Sequence, residues 1–313
     1  MRDFLEMLVA VLIFPGFAFL LVGALAFEWA DRKLIARVQG RVGPPWYQPL
    51  ADLIKLLAKE DILPRGTREG IAALLPILSL SAVVTAALYI PVADRAASSF
   101  EGDFIVVLFL LSLPSLGYFG AGWVTGGVYS VLGGSRALLQ HFAYEVPFLM
   151  AVSAPTVLTG SWTIAEISAR QAVWGLLVMP VGFAVAVIGL IGKLKRDPLD
   201  IPKAKSEVVG GSLTEFSGRK LALWRLSISM QTVVGIFLLV NLFAGGTQAT
   251  YGALPAAFTP LFFALKAVGL LLVLSLTSAL FARLRIDQFA QLGWRVLAPL
   301  ALLQIAAAVW IGG

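Results

Sequence analysis

One histidine and a few carboxylates have the spacing to handle protons. His141, the chain's single histidine, and Glu145 stand one helical turn apart in LLQHFAYEVPFLMAV (138–152). Asp200, Glu207 and Glu215 recur in a polar stretch, DPLDIPKAKSEVVGGSLTEFSGRK (197–220), which holds four carboxylates and four cations. Carboxylates gathered around a cavity and screened from water have raised pKa values and can exchange protons. The bland alternative is a solvated loop with internal ion pairs. An imidazole four residues from a carboxylate can relay a proton, although a structural hydrogen bond is the simpler reading of His141. Two such ligands do not make a metal site. Cysteine is absent, which excludes disulfides, thiolate-held iron–sulfur clusters and thiol catalysis within this chain.

The elements that must position these groups are membrane helices. Of 313 residues, 59% are hydrophobic and only 13% charged, far from the balance of a soluble domain. A helix needs about 20 apolar residues to cross the hydrocarbon core. Eight segments qualify, at roughly 5–27, 71–93, 104–124, 138–160, 172–192, 221–245, 261–281 and 292–311. The first is too long for a signal peptide and lacks a small-residue cleavage site. The loops at 28–70, 125–137, 193–220 and 282–291 hold 18 Lys/Arg, whereas the N-terminus and the other loops hold only Arg2, Arg95 and Arg170. The positive-inside rule then places the basic loops in the cytoplasm and both termini outside. The reading is an all-α integral membrane protein, one polytopic domain over 1–313. The net charge of +6 reports topology and gives nucleic acid no claim.

Two cytoplasmic loops, 28–70 and 193–220, are far longer than a connector needs. In the first, Leu50, Leu53, Ile54 and Leu57 share a helical face while Asp52, Lys55 and Lys59 share the other. That pattern predicts an amphipathic helix lying at the membrane surface or under a partner. In the second, Pro198, Pro202 and the glycine pair 210–211 forbid one long helix and favour short helices with a tight turn. Arg225 and Lys266 lie inside spans but near enough to an end to snorkel. Glu145 is about two turns inside its helix, where an ionised side chain costs at least about 2.5–3.5 kcal/mol, and should face a cavity or a partner.

Four stretches in fixed order carry a resemblance. DRKLIARVQGRVGPPWYQPLADLIKLLAKEDILP (31–64), LLQHFAYEV (138–146), DIPKAKSEVVGGSLTEFSG (200–218) and RLRIDQFAQLGWRVLAPL (283–300) resemble the family of H-type membrane subunits of complex I. That family supplies the membrane subunit beneath the peripheral arm of NADH:quinone oxidoreductase, and of membrane-bound [NiFe]-hydrogenases and sulfane sulfur reductases. The resemblance implies eight spans, a loop surface that seats the peripheral arm, and a carboxylate path leading into the membrane. By position, Glu145, Asp200, Glu207 and Glu215 match acidic members of that path, with His141 and Lys266 as further candidates. Arg32, Lys33, Arg37, Arg41, Asp52, Lys55, Lys59 and Glu60 match the first-loop motif of the seat, and Arg283, Arg285 and Asp287 the last. Expected partners are subunits resembling the [NiFe]-hydrogenase large and small subunits, antiporter-like membrane subunits and the lipid bilayer. Iron–sulfur clusters, and in the hydrogenase branch a [NiFe] centre, belong to those partners; none is expected to be bound by this chain. The setting is a prokaryotic plasma or inner membrane.

The departures also inform. Lys203 and Lys205 replace glutamates usual in quinone-reducing members, no glutamate stands near Ile228–Ser229, and only PWY (45–47) separates the GP and QP of the first loop. These features lean towards the hydrogenase and sulfur-reductase branch, with a quinone-site membrane component as the alternative, and the lysines could pair with Asp200 or Glu207. A stand-alone secondary transporter would show inverted repeats, and none is evident. A purely structural anchor would leave Glu145 unexplained.

Overall fold

The computed structural model describes residues 2–92, 96–171, 173–247 and 258–312, with side chains described at these positions except 2–4, 205, 206 and 312. Arg95 lies outside the described residues, as do the side chains of Arg2 and Lys205. Helices account for almost all of the ordered structure: α1 (Arg2–Leu12), α2 (Phe17–Val38), α3 (Gln48–Ala58), α4 (Glu69–Tyr89), α5 (Asp103–Thr125), α6 (Val128–Thr159) and α7 (Ile164–Ala169) form the first half. The second half holds α8 (Gly175–Val178), α9 (Pro180–Leu194), α10 (Lys205–Val208), α11 (Gly218–Phe243), α12 (Thr259–Leu280), α13 (Ile286–Leu292) and α14 (Ala298–Gly312).

Among the described residues, seven helical stretches are long and apolar enough to cross a membrane: Leu5–Val38, Glu69–Tyr89, Asp103–Thr125, Val128–Thr159, Gly218–Phe243, Thr259–Leu280 and Ile286–Ile311. The predicted span at 172–192 is different. It is broken at Met179 into the four-residue α8 and the 15-residue α9. Pro180 opens α9 because its ring disfavours helical backbone at the residue before it. At 1.5 Å per residue α9 extends about 22 Å, short of the ~30 Å hydrocarbon core. A second difference concerns the predicted loop at 125–137, most of which is helix, since α6 starts at Val128 and runs 32 residues.

α11 is the axis of the bundle. From Val233 to Thr247 every residue is buried, and α2, α4 and α12 pack around it. On the other side α6 packs against α5, α9 and α14. Large apolar side chains such as Leu261, Leu265, Leu303 and Trp310 face outwards, as hydrocarbon-facing residues should, because lipid does not penalise apolar exposure.

The first long loop contains the predicted amphipathic helix, α3, with Pro49 in its first turn. Leu53 packs against the core, and the rest of the predicted apolar face is open to a membrane surface or a partner. Leu50, Ile54 and Leu57 are exposed, while Asp52 turns inwards to Arg32. The second loop folds as predicted into single turns, Ile201–Lys203, α10 and Gly211–Leu213. Gly211 has φ +65°, and a Cβ there would lie 1.8 Å from the Pro202 carbonyl oxygen, so no other residue fits this turn.

Candidate functional site

The close approach of α9 to α6 begins with two glycines. A Cβ on Gly189 would meet the Phe148 ring at 2.8 Å, and one on Gly192 would meet Tyr144 at 2.9 Å. Small residues one turn apart let helix backbones approach in a membrane. The approach brings the end of α9 to the middle of α6. There Lys193 Nζ donates to Glu145 Oε1 at 2.8 Å, with both residues buried. Lys193 also lies 5.2 Å from the Phe148 ring centre, on the electron-rich face that attracts cations.

From Glu145 a polar path runs towards the second loop. Glu145 Oε2 is 3.5 Å from His141 Nδ1, and the same nitrogen is 3.1 Å from the Tyr144 hydroxyl. Tyr144 donates to Ser115 Oγ at 2.9 Å. Lys195 Nζ donates to that Ser115 oxygen at 3.3 Å and lies 4.9 Å over the Tyr118 ring. Lys203 faces the same ring at 5.9 Å. Asp200 follows, accepting from Arg283 at 3.1 Å through Oδ2, while its buried Oδ1 has no hydrogen-bond partner among the described residues.

Burial dominates the electrostatics of this loop. It lifts the Asp200 carboxyl to about 6, partly opposed by Lys203 and Arg283. Burial also pulls Lys203 below the usual lysine range, with Asp200 opposing. Lys195 is lowered to about 7 by burial and by the positive charges of Lys203 and Lys193. Charged forms lose hydration when buried, so acids rise and amines fall.

A cavity of about 230 Å³ opens beside this path, lined among others by Glu28, Asp31, Arg32, Lys195, Arg196 and Lys203. Arg196 pairs with Asp31, which also accepts from Ser275 at 2.6 Å. Glu28 pairs with Arg32 and accepts from Ser229 Oγ at 2.9 Å. A carboxylate therefore does stand beside position 229, supplied by α2 rather than α11.

The predicted residues separate into groups. Glu145, His141 and Asp200 belong to the buried path. Glu207 is exposed and pairs with Arg136 of α6. The Glu215 carboxylate packs over Gly127 at the start of α6. Lys266 donates to the Ala244 and Gly246 carbonyls at 2.7 and 2.9 Å, at the end of α11 remote in sequence from the loop. Arg32 reaches Asp52 at 2.8 Å, and this bond is the main reason Asp52 sits below its usual pKa. Lys33 packs against Gly43, while Arg37, Arg41, Lys55, Lys59 and Glu60 are all exposed. Arg285 and Asp287 line a cavity of about 270 Å³ with Arg136, Glu207 and Arg283.

The loops interlock. Ser217 Oγ accepts from Ile62 N–H at 2.8 Å and donates to the Ile62 carbonyl at 3.0 Å, and Lys220 pairs with Asp61. Leu284 N–H donates to the Pro198 carbonyl at 3.1 Å. Residues missed by sequence reasoning are Lys193, Lys195, Arg196, Ser115, Tyr144, Glu28 and Asp31. In the sequence the three cations register only as topology. Among the described residues no three His, Cys, Asp or Glu side chains gather as a metal site requires.

Fold and site together define a multi-pass, all-helical membrane protein with ion pairs buried between its helices and a polar face of interlocked loops. The NADH dehydrogenase family model matches residues 9–309, and the chain belongs to that family as an H-type membrane component of a complex I-like assembly. The H-type component of NADH-quinone oxidoreductase from Dehalococcoides mccartyi is 34% identical over 309 residues, covering 96% of this chain and 86% of the relative. Its Bacillus cereus counterpart is also 34% identical, covering 95% and 91%. Among solved structures, a chain of the membrane-bound sulfane sulfur reductase, an archaeal respiratory membrane complex, matches with a TM-score of 0.86. It is 27% identical and covers 98% of this chain and 100% of that one. This neighbour belongs to the hydrogenase and sulfur-reductase branch indicated by the short first loop.

Proposed function

We propose that this chain is the membrane seat of the redox arm in a prokaryotic complex I-like respiratory complex, coupling electron transfer there to proton or sodium translocation. The supporting observation is the Glu145–Lys193 pair, buried between α6 and α9, with His141, Tyr144 and Ser115 lined up between Glu145 and the Lys195 end of the loop that holds Asp200. A structural anchor has no need of such a pair, because buried ions cost more in desolvation than their attraction readily returns. In this reading the broken α8–α9 segment supplies an eighth crossing beside the seven long ones, which places both termini outside in the plasma membrane. The interlocked loops then seat peripheral subunits that carry the iron–sulfur clusters, with antiporter-like subunits alongside.

The electron acceptor follows the sulfane sulfur reductase neighbour or its hydrogenase relatives. Nickel and iron content of the intact complex distinguishes them, since stoichiometric nickel marks a hydrogenase. A quinone-reducing complex is the second reading, favoured by the NADH-quinone oxidoreductase relatives and by the Glu28 carboxylate beside Ser229. The coupling test is Glu145→Gln in the assembled complex. Ion translocation should be lost while electron transfer and assembly persist, and translocation at the normal rate would remove Glu145 from the path.

A further inference from the structure

Lys195 holds a backbone conformation that an ordinary lysine avoids. It ends α9 with φ 51° and ψ 48°, the left-handed region where Cβ crowds the carbonyl and where glycine is the usual residue at a helix end. The side chain is buried. Its ammonium meets a serine hydroxyl and a tyrosine face, and among the described residues no carboxylate forms an ion pair with it. Lys193, two residues earlier, is fixed to Glu145 instead. Residues held in such strained conformations cluster at functional sites.

We propose that Lys195 is a proton-carrying residue, the link between the loop cavity and Glu145. The proposal rests on the coupling reading above. The cavity meets Lys195 on one side, and on the other Ser115, Tyr144 and His141 follow at 3.3, 2.9 and 3.1 Å. His141 Nδ1 then stands 3.5 Å from Glu145 Oε2, a buried oxygen with no hydrogen-bond partner among the described residues, so this last gap must close for transfer. Hydroxyls both donate and accept, so the chain can reverse its polarity. In one transfer Lys195 Nζ gives a proton to Ser115 Oγ, and Ser115 gives its own to the Tyr144 oxygen. Tyr144 passes its proton to His141 Nδ1, giving a transient imidazolium, and Nδ1 hands that same proton to Glu145 Oε2. Lys195 ends as the neutral amine and Glu145 as the acid, which releases Lys193 from its ion pair; every intermediate keeps its proton count. The ionisable groups around Lys195 are Tyr118 from α5, His141, Tyr144 and Glu145 from α6, Lys193 from α9, Arg196 and Lys203 from the loop, and Glu28, Asp31 and Arg32 from α2 across the cavity.

The test uses the whole complex in liposomes containing a pH-sensitive dye. Dithionite-reduced methyl viologen is the donor, and polysulfide, a short-chain quinone or protons serve as acceptor. Protons moved per electron are recorded across pH. Lys195→Met should slow proton translocation by roughly 100-fold at matched electron flux, the scale of losing one positioned proton-transfer group, and the ratio should fall with it. Lys195→Arg keeps the charge but does not release a proton, and should be equally impaired. Lys195→His should recover translocation with an acid-shifted profile. Ser115→Ala, a mild change in α5, should impair the ratio even if the Lys195 variants fail to assemble. Normal translocation in Lys195→Met, or in Lys195→Arg with an unchanged pH profile, overturns the proposal, as does normal translocation in Ser115→Ala. Glu145→Gln run in parallel separates the readings: if it pumps normally, the coupling reading itself fails. If it is inactive while Lys195→Met pumps, only Lys195 leaves the path.

Discussion

Lys193 and Glu145, 48 positions apart, meet as an ion pair at 2.8 Å inside the protein, the lysine only 1% exposed. Neither is excused by solvent. Removing one partner strands the other charge, whereas removing both leaves an apolar contact.

That asymmetry can be measured. Lys193→Met should destabilise the protein by about 3–5 kcal/mol, the usual cost of an uncompensated buried charge. The double variant Lys193→Met/Glu145→Leu, which leaves only apolar side chains, should lie much closer to the native protein. Thermal unfolding of the detergent-solubilised complex checks the ordering. A double variant that loses as much as Lys193→Met alone would show that the ammonium holds the helices by packing on Phe148 instead of by charge.

Asp200 makes stability depend on pH in a defined direction. Its carboxyl rises from 3.8 to about 6 in the folded chain, mainly through burial. The folded state then binds a proton that the unfolded state has released, so this residue favours folding more as pH falls through that window. Above pH 6 its ionisation is a standing cost. Relative to Asp200→Asn, the native complex should gain thermal stability as pH falls from about 6 to about 4, with no further relative change above about pH 7. A flat difference across that range would place the titration elsewhere.

Gly293 packs against the place where Pro147 interrupts α6. Proline cannot donate to the carbonyl four residues back, which is that of Ala143. A Cβ on Gly293 would lie 2.1 Å from that oxygen. Gly293→Ala should therefore cost about 1–3 kcal/mol through forced displacement of backbone. The readout is the melting temperature; an unchanged value would mean the start of the final span slides freely over α6.

Arg32 ties the first loop to α2. It donates to Asp52 at 2.8 Å and pairs with Glu28, and Gln48 donates to Asp52 at 2.9 Å. Asp52→Asn should loosen α3 by no more than about 1 kcal/mol, because the pair is partly solvated. Limited proteolysis across 39–68 should quicken while the melting temperature hardly moves. Equal cleavage rates would assign the anchoring of α3 to Pro49 and Leu53 alone.

Much of this molecule is legible without coordinates. Membrane residence follows from composition, and most of the spans follow from runs of apolar residues, since each helix satisfies its own backbone within the segment. The amphipathic α3, the broken second loop and the buried position of Glu145 are visible for the same reason: periodicity, proline, glycine and charge act over a few residues. Tertiary structure decides the rest. Met179 and Pro180 break the fifth apolar run although its composition suits a membrane and predicts an unbroken span. The partner of Glu145 is set only when Gly189 and Gly192 let α9 settle on α6. Ser229 and Glu28 meet across 201 positions, and Asp52 faces inwards only because Arg32 awaits it. In sequence Lys193 and Lys195 look like ordinary cytoplasmic charges, because a sequence records that a residue is basic and not which helix it faces. Local pattern sets the elements; the contacts between distant charges depend on how those elements pack, and that geometry places each ion in water or in the protein interior.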